Sequence, residues 1–210
     1  MGKMKHAATQ ELYSYWNRLR GDRMAPERAD IDPGAIRGVL ADTFILDVVD
    51  LENMRFRIAG ARINALFVNE LKDMDFLTIW APQSRTAVRE LAANTSRAPT
   101  PAIAGVHAAP PGRPALDLEL LLLPLRHVGR PQSRLLGGLS PAAVPLWLGL
   151  VPVTGLELGS MRIIRTGQAS SAESFARTAA DARSLPVRHG HLRVLNGGNS
   201  TLTSGLDQTR

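Results

Sequence analysis

Histidine is the side chain best suited to hold a metal ion or to move a proton near neutral pH. The chain has five, at positions 6, 107, 127, 189 and 191. Two histidines on one helix face share a metal when they lie a turn apart, and no pair here has that spacing on an expected helix. His189 and His191 would share a strand face, but they fall in a stretch poor in large apolar residues. Cysteine is absent, which removes a thiol nucleophile, thiolate metal sites and a disulfide framework. Gly137-Gly138 comes nearest to a phosphate loop, yet it sits within a strand pattern and no lysine follows. These types and spacings assign no catalytic residue and no metal ligand.

The remaining polar and aromatic candidates bind rather than react. Arg57 reads either as a hook for an anion or as the partner of Asp47, the simpler choice. Glu119 interrupts an apolar run and points either into a pocket or to solvent at a sheet edge. Trp80 ends a helical segment, at a cavity rim or, more simply, in the core. Trp16 is read as an anchor of the first helix, and Arg18, Arg20 and Arg23 as a solvated helix face.

The elements that would position these residues follow from periodicity. Leu12, Tyr15, Trp16 and Leu19 form one apolar stripe on a helix over residues 9–20, with Thr9 as N-cap and Gly21 as terminator. A charged arm over 22–31 leads to Asp32-Pro33, a strong helix start. Strands over 43–49 and 54–60 then make a hairpin, in which alternation puts Phe44, Leu46 and Val48 on one face with Phe56 and Ile58. The same parity sets Asp47 beside Arg55 and Arg57 as a cross-strand ion pair. A broken helical stretch covers 61–75, a short turn 76–80, and a longer helix with Pro82 in its first turn runs to Arg97.

Strands follow over 102–108, 115–126 and 134–139, and residues 156–164 read as one last strand. The long strand has Leu116, Leu118, Leu120 and Leu122 on one face. Its other face changes from Asp117 and Glu119 to Leu121, Leu123 and Leu125, which predicts a position inside the sheet. The stretch from Pro141 to Gly155 is rich in proline and glycine and carries Trp147. The expected organisation is a flexible leader over 1–8, one domain over 9–165, and a disordered or weakly helical tail over 166–210.

Bulk properties agree with one ordinary folded domain: 210 residues, 44% hydrophobic, 21% charged and 5% aromatic. A core built on so few aromatics must be mostly aliphatic. The net charge of +6 raises nucleic acid or an anionic surface as a partner. The arginines are spread along the chain, however, so a solvated basic surface is the preferred reading. No apolar run approaches the roughly 20 residues of a membrane helix, and no signal-peptide core precedes residue 20. His6 breaks the myristoylation pattern that Gly2 would begin. A cytoplasmic protein without membrane insertion is expected.

Leu12, Tyr15, Trp16, Leu19 and Arg20, then Pro26, Arg28, Asp30, Ile31, Asp32 and Pro33, form the first part of a wider pattern. It continues through Phe56, Arg57, Ala59 and Gly60, the pair Glu70-Leu71, and Glu119 with Leu121 to Leu125. On these residues the chain resembles the alphaproteobacterial group of single-PAS-domain proteins, over about residues 10–165. The resemblance implies an α+β fold: a five-stranded antiparallel sheet in the order 2-1-5-4-3, helices on one face, and an N-terminal helix. It also implies a small cavity between sheet and helices, and signals that leave through a terminal helix or a dimer interface. Val68 and Asp73 stand where related sequences tend to have glycine, so a less sharply turned helical segment is expected. In that strand order Arg57 and Glu119 lie about 14 Å apart, too far for a direct bridge.

From the resemblance come ligand-pocket candidates, Phe56, Ile58, Phe67, Trp80, Glu119 and Leu121, and dimer or docking candidates, Leu12, Tyr15, Trp16 and Leu19. Haem and flavin binding in such domains depends on a positioned histidine or cysteine. Residues 61–97 hold neither, so the cofactor stays unknown. The function implied is a non-enzymatic sensory or regulatory module without its own output domain. Its expected partners are a second copy, a signalling protein and a small ligand in the cavity. Two alternatives stand beside it: a ligand-free structural adaptor, and a basic protein associated with nucleic acid.

Overall fold

A leucine-rich strand with both faces apolar can only lie between layers, and Leu116–Leu125 does so. The computed structural model describes residues 4–126 and 133–164. His127, His189, His191 and the expected tail therefore lie outside the described residues. The strands are β1 (Thr43–Val48), β2 (Met54–Ala59), β3 (Ala102–Ala108), β4 (Leu116–Leu125), β5 (Ser133–Pro141) and β6 (Leu156–Ile163). They form one sheet in the order β2-β1-β5-β4-β3-β6, with every neighbouring pair antiparallel. The expected order holds across five strands, and β6 extends it to six by pairing with the outer edge of β3.

One face carries α2 (Ala61–Phe67), a 3-10 turn (Phe76–Ile79) and α3 (Pro82–Arg97). Pro82 opens α3, and Val88, Leu91 and Ala92 are its buried stripe. Below them lie Leu46, Leu118, Leu120 and Leu122 of the sheet. The other face is covered by α1 (Ala7–Arg20), whose Leu12, Tyr15 and Trp16 pack on Ile45, Leu121, Leu123 and Leu125. Trp16 is fully buried and donates Nε1–H to the carbonyl of Pro124 at 2.8 Å. Burying such an indole side chain is worth on the order of 3–5 kcal/mol. Gly21 ends the helix at a φ of 55°. Among the described residues no helix is long and apolar enough to cross a membrane.

Two adjacent glycines let both layers close on β5. A Cβ at Gly137 would overlap the ring of Phe44, and one at Gly138 would come within 3.0 Å of Leu12 Cδ2. The pair serves packing on opposite faces of one strand.

Several expectations are corrected. The N-terminal segment is fastened from Lys5 onward, because backbone groups of Lys5 and His6 find a buried acceptor in the sheet. Thr9 lies inside α1, which His6 precedes as its N-cap residue. A β-bulge falls between the β1 positions Ile45 and Leu46, so Ile58 pairs with Ile45 and leaves the face of Phe56. Asp47 bonds Arg134 Nε at 2.6 Å on the neighbouring strand, while Arg55 turns to the carbonyl of Asp73. The turn after α2 is sharp after all. Val68 and Asp73 both adopt left-handed backbone, with φ of 48° and 64°.

Candidate functional site

The space between sheet and helices is filled by aromatic rings. Phe44 and Phe56 come from the hairpin, and Phe76 and Trp80 from the turn before α3. Their centroids lie 5.5–5.9 Å apart in mostly edge-to-face contacts. Such pairs each contribute about 0.5–1.5 kcal/mol beyond area burial. Trp80 is 1% exposed, and its Nε1–H has no hydrogen-bond partner. Buried polar groups are nearly always paired. This donor is therefore the one unmet polar atom of that aromatic cluster.

The six pocket candidates do not share a site. Phe56 and Trp80 are buried in this core, and Phe67 packs at its margin. Ile58 is 50% exposed beyond the bulge. Glu119 and Leu121 lie on the opposite face of the sheet, because they alternate with Leu118 and Leu120. The docking candidates are likewise displaced. Leu12, Tyr15 and Trp16 are buried against the sheet and Leu19 is half-buried, so that stripe is an internal surface of α1.

On the α1 side the polar residues converge on the start of the helix. Glu119 is 4% exposed. Its Oε1 accepts the backbone N–H of Lys5 at 3.0 Å, and its Oε2 accepts that of His6 at 3.1 Å. Neither N–H has a partner inside the helix, and a carboxylate at this end also meets the positive pole of the helix dipole. His6 Nδ1 lies 2.6 Å from the carbonyl oxygen of Ser140 on β5, and Thr9 Oγ1 lies 3.1 Å from the Ser140 hydroxyl. Two strands thus hold the first turn of α1 through a carboxylate, a carbonyl and a hydroxyl.

Beside this clasp is a shallow cleft lined by Leu12, Val39, Asp42, Thr43 and Gly138, without internal room for a water molecule. Asp42 pairs through Oδ2 with Arg62 of α2, while its Oδ1 is buried without a partner. The pair ties the turn before β1 to the helix layer on the other side. The arm is fixed as well: the Tyr15 hydroxyl accepts the N–H of Asp32 at 2.7 Å. Arg20, expected as part of a solvated face, lies over the Trp16 ring at 5.6 Å.

This arrangement joins the start of α1 to β4 and β5 through side-chain hydrogen bonds. Among the described residues no three His, Asp or Glu side chains are grouped to hold a metal ion. Alternation along β4 is enough to put Glu119 on the face of Leu121. Nothing local in the sequence says that residues 5 and 6 return to meet it, since the partners lie 114 and 113 positions away.

The family model described as PAS domain matches residues 4–140. The matched span runs from the residue before the clasp to Ser140, the last residue in it. The chain has no match among curated proteins or solved structures.

Proposed function

The chain belongs to the PAS domain family, and from that premise we propose that it is a non-enzymatic sensory or regulatory module of the cytoplasm that works through protein contacts. Its proposed partners are a second copy of itself and a signalling protein, with a small ligand as the input. The Glu119 clasp carries this reading. Glu119 lies on β4 between Leu118 and Leu120, which floor the aromatic core, and it holds the first turn of α1 on the opposite face. A shift of β4 caused by an occupant of the core would reach α1 through Glu119 at the start of the helix and through the Trp16–Pro124 hydrogen bond further along it. Ligand binding then changes the population of two α1 positions. Since the α1 stripe is buried, the partner meets another surface or meets α1 after it moves.

Protein contacts are preferred to nucleic acid because Arg23, Arg62, Arg89, Arg126 and Arg134 each face a carboxylate. The ligand-free adaptor is the second reading, and the closely packed rings of Phe44, Phe56, Phe76 and Trp80 favour it. Native mass spectrometry of protein purified from its own host separates the two, run beside Glu119→Gln as the conservative variant. The sensory reading expects a retained small molecule and a partner in fixed ratio, with the partner lost in the variant. Bare wild-type protein that captures nothing beyond what the variant captures would remove it.

A further inference from the structure

The connection from β5 to β6 carries no charged side chain over residues 142–155, in a chain of which 21% is charged. It is pinned rather than loose. Trp147 and Val153 are buried in the core on the helix side of the sheet, and Leu148 and Val151 pack against it. Gly149 N–H donates to the carbonyl of Ala65 at 3.1 Å and Val153 N–H to that of Leu66 at 2.8 Å, serving carbonyls that α2 leaves unpaired at its C-terminal end. Within the segment Leu148 N–H reaches the carbonyl of Pro145, and the N–H groups of Leu150 and Val151 reach that of Trp147.

On this fixed base stand leucines that the core does not use. Leu146 is 100% and Leu150 75% exposed, and Val144 before them is 53% exposed. Val68, itself half exposed, joins the ridge, because its N–H shares the Ala65 carbonyl with that of Gly149. It holds a branched side chain in solvent at a φ of 48°, where such a residue is strained. Single exposed apolar residues are ordinary, whereas a contiguous uncharged set marks a contact surface.

The charge balance selects what covers it. Each copy of the chain carries a formal charge of +6, so two copies meet with least repulsion through faces that bring no cation against another. A two-fold axis places the same patch on both sides, and this ridge meets itself without a charge to desolvate. An anionic lipid surface would instead draw on cations around the ridge. Arg62, the cation of α2, is already paired with Asp42.

We propose that residues 144–150 and Val68 form the ridge through which two copies of this chain pair about a two-fold axis, with Leu146 and Leu150 of one copy packed beside those of the other. This rests on the reading above, which names a second copy as a partner, and supplies the surface the two copies share. Four side chains fall short of the roughly 800 Å² that each partner of a standard interface buries, so the pairing is weak and follows concentration. Leu146 and Leu150 lie beyond residue 140, where the family match ends, so the surface is this chain's own.

Sedimentation equilibrium of the full chain over a wide range of concentration tests the pairing. Wild type is compared with Leu146→Ser, with Leu146→Ser/Leu150→Ser, and with Val49→Ser, an exposed valine in the β1–β2 connection. Leu146 is wholly in solvent, so its replacement leaves the fold intact; thermal unfolding verifies this, and the single variant decides if the double one unfolds. Wild type is expected to pass from monomer to dimer as concentration rises. Leu146→Ser should weaken the dimer about tenfold, the double variant should stay monomeric, and Val49→Ser should match wild type. A dimer as strong in the double variant as in wild type overturns the ridge and leaves a second copy as partner through another surface. Equal weakening by Val49→Ser overturns it too. Monomeric wild type that binds phosphatidylglycerol vesicles, and loses them in the double variant, assigns the ridge to lipid and overturns the pairing. Wild type that is monomeric at every concentration without such binding removes both the ridge and the second copy, while a retained small molecule with a signalling protein would leave the sensory reading standing.

Discussion

Glu119 Oε2 accepts the backbone N–H of His6 at 3.1 Å across 113 positions of sequence, so a carboxylate in the middle of the sheet caps the first helix. The same group accepts the N–H of Lys5, and it is nearly sealed from solvent. Glu119→Ala leaves both amides without their acceptor and is expected to cost about 2–4 kcal/mol in urea unfolding. Glu119→Gln keeps one acceptor oxygen and should fall between Ala and wild type. Amide exchange at residues 5 and 6 should rise in both variants. A Glu119→Ala protein as stable as wild type would show the clasp to be incidental.

Phe44 and Gly137 face each other directly across β1 and β5, and the ring occupies the place a Cβ would take. Gly137→Ala forces either the ring or the strand to move, an overpacking cost of about 1–3 kcal/mol. In a Phe44→Leu background the same substitution should cost much less, because the obstructing ring edge is gone. A double-mutant cycle with a coupling below about 0.5 kcal/mol would contradict the contact.

The legible parts of the fold were those set by local pattern. The apolar alternation of residues 118–125 placed β4 inside the sheet, and Pro82 with Val88, Leu91 and Ala92 set α3 from start to inward face. The stripe of Leu12, Tyr15 and Trp16 was read correctly as one helix face, but not that the sheet itself covers it. What stayed hidden depends on a bulge or on a distant partner. One extra residue near Arg57 turned Ile58 away from the core. The choice of Arg134 for Asp47 needed knowledge of which strand lies on the other side of β1. The clasp at Glu119 needed both, since alternation gives its face but not its partner.

Asp30 fixes the arm that follows α1, and its carboxyl is held below the usual range. The N–H of Glu27 is the larger cause, followed by the guanidinium of Arg23 at 2.9 Å. A carboxyl whose folded value is depressed adds stability at pH above its unfolded value, and that contribution disappears as pH falls through the folded value. The loss therefore belongs below the ordinary aspartate value of 3.8. Asp30→Asn should leave the pH dependence of stability unchanged from pH 5 to 8 and make it shallower below pH 4. Chemical denaturation at stepped pH checks this, and parallel curves for the two proteins throughout the acid range would count against it.

Val68 combines a branched Cβ with left-handed backbone, at a φ of 48°, and its side chain is 51% exposed. A β-branched residue there is strained, and such strain costs on the order of 1 kcal/mol or more. The conformation persists because the surrounding bonds over-determine it. Val68 N–H reaches the carbonyl of Ala65, Asn69 N–H that of Asn64, and Asn64 Oδ1 accepts the N–H of Leu71. Little burial is lost on truncation, so Val68→Gly should stabilise the protein by about 0.5–1 kcal/mol despite the added freedom of the unfolded chain. Val68→Ala removes the branch but keeps a Cβ at positive φ, and should recover only part of that gain. Thermal unfolding of the three proteins orders them as Gly, Ala, Val from most to least stable. The reverse order would mean that the exposed valine side chain, and not the backbone beneath it, decides stability at this turn.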